Sequence, residues 1–200
     1  MTAMKTPLLI LLAALPLSAC ISFGAAPPPT LLTLTSASSV PVGQDQNSGT
    51  ARSITLQVPT VPQALATARV PVQSTATSIA YVKDAQWAEP PARLFARLMS
   101  DTVAARTGMV VLSSVQAVGD PSAQLGGELR NFGLDATTRE AVVTFDAALT
   151  RAGMQTVEKH RFEARVPVAA IDAPSAAAGI NTAANTVATQ VADWIGRPRA

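Results

Sequence analysis

The chain contains a single cysteine, Cys20, and a single histidine, His160. One cysteine excludes an internal disulfide and a multi-thiolate metal site. His160 stands between Lys159 and Arg161 with no companion in a ligand or triad motif, so a structural role is expected for it. Aromatic residues make up 4 % of the chain and charged residues 14 %. The basic residues do not cluster, which leaves no electrostatic footprint for nucleic acid. Neither G-x-S-x-G, nor H-E-x-x-H, nor a phosphate-cradling glycine loop occurs. Asp and Glu are scattered singly, without a pair at glycosidase spacing. The residues therefore carry no catalytic, metal or cofactor signature, and a non-enzyme is expected. Long apolar runs are missing too: Leu8 to Leu15 is too short to cross a hydrocarbon core of about 30 Å.

That short run has another meaning. Lys5 supplies a positive start, residues 8–15 an uncharged apolar segment, and small residues lead to Cys20, the order of a secretory signal peptide. Leu17-Ser18-Ala19-Cys20 resembles a bacterial lipobox, which implies cleavage before Cys20 and acylation of its thiol and new amine. Ordinary secretion with cleavage after Ala19 fits less well, because Leu17 occupies a position where that peptidase prefers a small residue. Loss of residues 1–19 removes Lys5 and no acid, so the 15 basic and 13 acidic residues of the full chain become 14 and 13. Ile21 follows the cysteine, and an Asp there would be the usual signal for inner-membrane retention. The expected address is thus the inner leaflet of the outer membrane, with Cys20 as lipidation site.

Three parts follow: a lipoprotein signal peptide over 1–19, a lipidated N-terminus and Pro-rich tether over 20–30, and one domain over 31–197. Pro27-Pro28-Pro29 favours an extended, semi-rigid arm. At about 3.1–3.3 Å per residue, it holds the body up to roughly 30 Å from the lipid. Residues 31–34 predict a short strand. Residues 36–51, rich in Ser, Gly, Gln, Asn and Pro, predict a flexible surface loop. Alternation predicts strands over 53–58, 69–74, 78–82, 124–132, 140–151 and 155–166, with residues 75–77 closing a hairpin and 152–154 another. Val110-Val111-Leu112 reads as a short buried strand. In 155–166, Lys159, Arg161, Glu163 and Arg165 share one side, and His160, Phe162, Ala164 and Val166 the other. Gly126-Gly127 inside a strand marks a bulge or close packing.

Two helices are expected. Over 89–106, Leu94, Phe95, Leu98, Met99, Thr102 and Val103 share a face; Pro90-Pro91 suits the first turn and Gly108 the stop. Over 175–195, Ile180, Ala184, Val187, Val191 and Trp194 recur at helical spacing between Pro174 and Gly196. Strands with two separated amphipathic helices predict an α+β, two-layer domain: a mostly antiparallel sheet with both helices on one face.

One cluster stands out, Tyr81 to Pro91, with Trp87-Ala88-Glu89-Pro90-Pro91 at its end. Local physics accounts for it as a strand-to-helix corner in which Trp87 packs and the prolines start the helix. The alternative is a docking surface built on Tyr81, Trp87, Glu89 and Pro90. Together with the lipobox, the early strand ending at Val58-Pro59, the segment Leu65-Ala66-Thr67-Ala68-Arg69-Val70 and the following helix, this cluster resembles the ABC-type transport auxiliary lipoproteins. The match runs in order from about Leu31 to the last helix and is loose over 61–72. The resemblance implies a non-catalytic, membrane-anchored periplasmic subunit. Its partners would be a mammalian-cell-entry-domain subunit and an ABC permease and ATPase that move phospholipids or other hydrophobic molecules. An outer-membrane assembly accessory lipoprotein, of the lipopolysaccharide-export or barrel-assembly type, is the alternative, and a lone lipid carrier a third reading.

Overall fold

The computed structural model describes residues 30–113, 115–116 and 121–197. Cys20 and the arm up to residue 29 lie outside them. Seven strands form one mixed sheet, with two helices on one of its faces. In chain order these are β1 (Ser53–Leu56), β2 (Arg69–Thr75), β3 (Ser78–Gln86), α1 (Pro91–Thr107), β4 (Val110–Leu112), β5 (Ala123–Asp135), β6 (Glu140–Arg151), β7 (Val157–Pro167) and α2 (Ala173–Gly196). The α+β expectation holds, and the long β5–β6–β7 meander is antiparallel.

β5 is the spine of the sheet. β6 runs along its whole length on one edge, while β1 and β2 share the other edge end to end, both parallel to it. Between them the chain keeps contact with β5: Gln57 N donates to Leu125 O (2.9 Å), Thr60 N to Gly127 O (3.0 Å), and Leu129 N to Thr60 O (2.9 Å). A 3₁₀ turn at Gln63–Leu65 then carries the chain into β2. β4 closes the far side as a parallel partner of β1.

Side-chain parity explains the core. Ala123, Leu125 and Leu129 face the helices at odd positions, but so do Phe132 and Leu134 at even ones. A register shift between Leu129 and Asn131 inserts one residue and resets the alternation, so Leu129 faces Phe145 and Phe132 faces Val143. A bulge does just this: it adds a residue to one strand only. Gly127 sits just before it, at φ +153°, where a Cβ would collide with Asp146 O and the Phe145 ring. Close packing, rather than the bulge itself, is what this glycine serves.

α1 begins one turn corner later than its sequence pattern suggests, because Pro90 holds an extended backbone and Pro91 takes the first helical position. It ends where Gly108 adopts the left-handed conformation, φ +66°. Its Phe95 ring packs edge-on against Phe132 and Phe145, with centroids 6.3 and 5.4 Å apart. Asp172 caps α2 by accepting from Ser175 N at 2.8 Å. α2 lies against β6 and β7 through small residues, Ala176, Gly179 and Ala183 among them, all buried.

Two expectations need correction. Residues 31–34 form no strand; Leu32 alone makes a parallel bridge, to Trp87. Beyond Leu32, the backbone groups of Thr35 and Ala37 bond to the Asn181 and Asn185 side chains of α2 rather than to a strand. The loop over 36–51 is irregular as expected, but its start is not loose, since Ala37 N is held by the Asn185 side chain.

Candidate functional site

The Tyr81-to-Pro91 cluster folds around a break in β3. Asp84 takes a left-handed backbone, φ +55°, a conformation that Asp tolerates better than most residues. The hairpin register shifts there, so Val82 before it and Ala85 and Trp87 after it all turn inward. Trp87 N donates to Ala68 O (2.7 Å), and Leu32 bridges its neighbours: Leu32 N donates to Gln86 O and Ala88 N to Leu32 O, both at 2.8 Å. The indole is 1 % exposed, 5.4 Å from the Phe132 ring, and its Nε1–H has no acceptor among the described residues.

The other members point elsewhere. Tyr81 pairs with Pro71 across the hairpin and carries the Arg69 guanidinium 3.8 Å above its ring. Glu89 stays at the surface and takes an ion pair from Arg97 at 2.6 Å. Pro90 is the exposed cap of α1. The four are not one surface: Trp87 is in the core, Tyr81 and Glu89 are half-buried with their own arginine partners, and Pro90 is exposed.

The face of the sheet away from the helices is built differently. Outward positions of β5, β6 and β7 carry a ladder of charges. Arg161 grips Asp146 with both ends of its fork, at 2.6 and 2.7 Å, and Arg130 adds a longer contact at 3.4 Å. Arg165 reaches Glu163 (2.8 Å) and Glu140 (3.3 Å). Asn131 Nδ2 donates to Thr144 Oγ1 (3.1 Å), which donates to Glu163 Oε2 (2.8 Å). The Arg161 bond holds the Asp146 carboxyl below its ordinary pKa, and the Arg165 bond does the same for Glu163. Carboxylates held ionised by arginines serve as fixed counter-charges; proton transfer at neutral pH asks for the opposite tuning. At one end of this face lies a groove of about 420 Å³, floored by Leu65, Pro71, Gly133 and Val142 and rimmed by Arg130 and Arg165.

His160 is exposed and lies tilted against the Phe162 ring (4.5 Å) and near Trp194 (6.1 Å), where β7 meets the end of α2. That is a packing role. Among the described residues no group of three His, Cys, Asp or Glu side chains could hold a metal ion, and no helix is long and apolar enough to cross a membrane.

Residues 32–192 match the family described as the ABC-type transport auxiliary lipoprotein component. The chain belongs to that family. The match begins at the residue that bridges Trp87 and ends within α2, so it takes in the whole sheet. The family's description makes its members lipoproteins auxiliary to ABC-type transport, which associates them with the cell envelope and with an ABC system. Among solved structures, protein XCC0632 from Xanthomonas campestris is similar at a TM-score of 0.66 and 19 % identity, over 83 % of this chain and 94 % of that one. An uncharacterized protein is similar at 0.63 and 12 %, over 83 % and 99 %. At such identities the likeness is one of fold. No curated protein matches the chain.

Sequence reasoning missed two groups of residues. The partners of Arg161 and Arg165, chiefly Asp146 and Glu140, were signalled by the outward parity of β6 but only the sheet register pairs them. Asn181 and Asn185 of α2 were signalled by their spacing on a helix whose one charged residue is Asp193; their partners, Thr35 and Ala37, lie far away in the chain.

Proposed function

We propose that this family member is a non-catalytic subunit anchored by acyl chains on Cys20 to the inner leaflet of the outer membrane. It serves an ABC-type, mammalian-cell-entry-domain system that moves phospholipids or other hydrophobic molecules through the envelope. Acyl anchoring of this kind is stable because each buried CH₂ contributes about 0.8 kcal/mol and two or three chains act together. The observation that carries the reading is the family match starting at residue 32, directly after a lipobox and a proline arm. The carboxylates of the open face, held ionised by arginines, suit a scaffold better than a reaction centre.

The test is affinity capture of the tagged lipoprotein from detergent-solubilised envelopes, under conditions that keep the transport complex intact. Recovery of a mammalian-cell-entry-domain subunit with the permease and ATPase is expected. Recovery of barrel-assembly or lipopolysaccharide-export components instead would overturn the reading.

A further inference from the structure

Residues 31–38 lie on the body as an extended segment that joins the sheet only through the Leu32 bridge to Trp87. Their burial alternates as in a strand: Leu32, Leu34, Ser36 and Ser38 are half-buried, while Leu31, Thr33, Thr35 and Ala37 are exposed. The hydrogen bonds that a neighbouring strand would supply come from side chains of α2. Asn181 Oδ1 accepts from Thr35 N (2.8 Å) and Asn185 Oδ1 from Ala37 N (2.7 Å), while Asn185 Nδ2 donates to Thr35 O (2.9 Å). Four residues of helix advance about 6.0 Å and two residues of extended chain about 6.6 Å, so asparagines one turn apart match alternate amides of a strand. α2 carries no charged residue before Asp193, and the hydroxyls of Thr182 and Thr186 turn back onto carbonyls of their own helix, at Ala178 and Thr182. Between Thr35 and Ala37, Ser36 Oγ lies 3.2 Å from Thr102 Oγ1 of α1.

The segment is held in place but not built in. None of its side chains is fully buried; Leu32 and Leu34 pack against the core from outside, and release breaks the two Leu32 backbone bonds along with the asparagine contacts. Downstream, residues 41–50 are exposed and hydrogen-bond only within their own turns. Few buried contacts and exposed backbone bonds are the marks of a segment that opens well before the domain unfolds.

We propose that residues 31–38 form a releasable strap, latched by Asn181 and Asn185, and that its release lengthens the arm on which the body stands. The latch is independent of the anchor; its role in reach rests on the lipid-anchored reading given above. Latched, residues 21–30 remain for the arm, at most roughly 30 Å of chain if extended. Released as far as β1, it gains residues 31–52, about 70 Å more of extended chain.

Hydrogen exchange on the full lipidated chain in detergent micelles tests the latch, comparing wild type with an N181A/N185A variant. The Thr35 and Ala37 amides are expected to exchange at least tenfold faster in the variant, with β5 and β6 amides unchanged. Equal exchange at Thr35 and Ala37 would overturn the latch, and so would faster exchange throughout β5 and β6, which would make the strap an integral part of the fold. Neutron reflectometry on a supported bilayer then reads the stand-off of the body. The variant is expected to stand farther out, as does wild type given a ten-residue Gly/Ser insertion between Pro29 and Thr30. Faster exchange with no change in stand-off, when the insertion does change it, would overturn the role in reach. If wild type fails to attach to the bilayer at all, it is the anchor that is wrong, and the exchange result still decides the latch.

Discussion

Trp87 owes its position to backbone bonds on both sides of it and to the Phe132 ring beneath it. Truncating a buried Trp leaves a large cavity, so Trp87→Ala is expected to lose about 3–5 kcal/mol in urea denaturation. Trp87→Phe should cost less than about 2 kcal/mol, because it also removes an N–H buried without an acceptor, itself worth about 1–3 kcal/mol of desolvation. A Trp87→Phe protein of unchanged stability that no longer captures its partners would instead return the indole to a docking role. Acid stability is also set residue by residue. Asp146 and Glu163 have lowered pKa values in the fold, so their contribution is present above the unfolded values near 4 and is lost as pH falls through the folded ones. Asp101 is raised by burial and opposes them, favouring the folded state below that range. The urea midpoint is therefore expected to hold from pH 7 to about 5 and drop below about 4, and Asp146→Asn should flatten part of that drop.

At the scale of elements, α2 approaches the sheet closely because it carries small residues where it crosses β6. A Cβ on Gly179 would come within 2.6 Å of Val168 Cγ1 and 2.9 Å of Ala141 Cβ. Gly179→Val is expected to destabilise by about 1–3 kcal/mol through overpacking. Adding Val168→Ala should recover part of that loss, a coupling that a double-mutant cycle measures. The existence and order of the elements were legible in the sequence because periodicities of 2 and 3.6 are local properties. β6 spans the residues its alternation marks out, and α1 stops where Gly108 allows a left-handed turn. The parity reset in β5 was not legible, since Leu129 and Phe132 share a face only through a bulge defined against β6. Nor was the failure of residues 31–34 to form a strand: only Leu32 meets the sheet, and the backbone that follows meets asparagines of α2 that lie 146 and 148 residues further along the chain.

At the scale of the whole molecule, the body is joined to its arm beside the β3–α1 corner, where Leu32 bridges Trp87. On the lipid-anchored reading proposed above, that corner is the end of the body nearest the lipid, and a periplasmic partner would meet the rest of the body first. Cys20→Ser is expected to leave the thermal unfolding of the body unchanged and to move the protein from the membrane to the soluble fraction on envelope fractionation. Retention in the membrane fraction would remove Cys20 as the anchor.

The sequence by itself determined the α+β class, the two helices, the family resemblance and the chain's poverty in reactive groups, because each of these is written in local pattern or composition. Only the tertiary structure decided that Trp87 is core while Tyr81 and Glu89 are not, and that the open face is a ladder of paired charges. It alone brought Asn181 and Asn185 to the backbone of Thr35 and Ala37. The reason is range: periodicity specifies what a segment becomes, whereas register and packing specify which distant residues it meets.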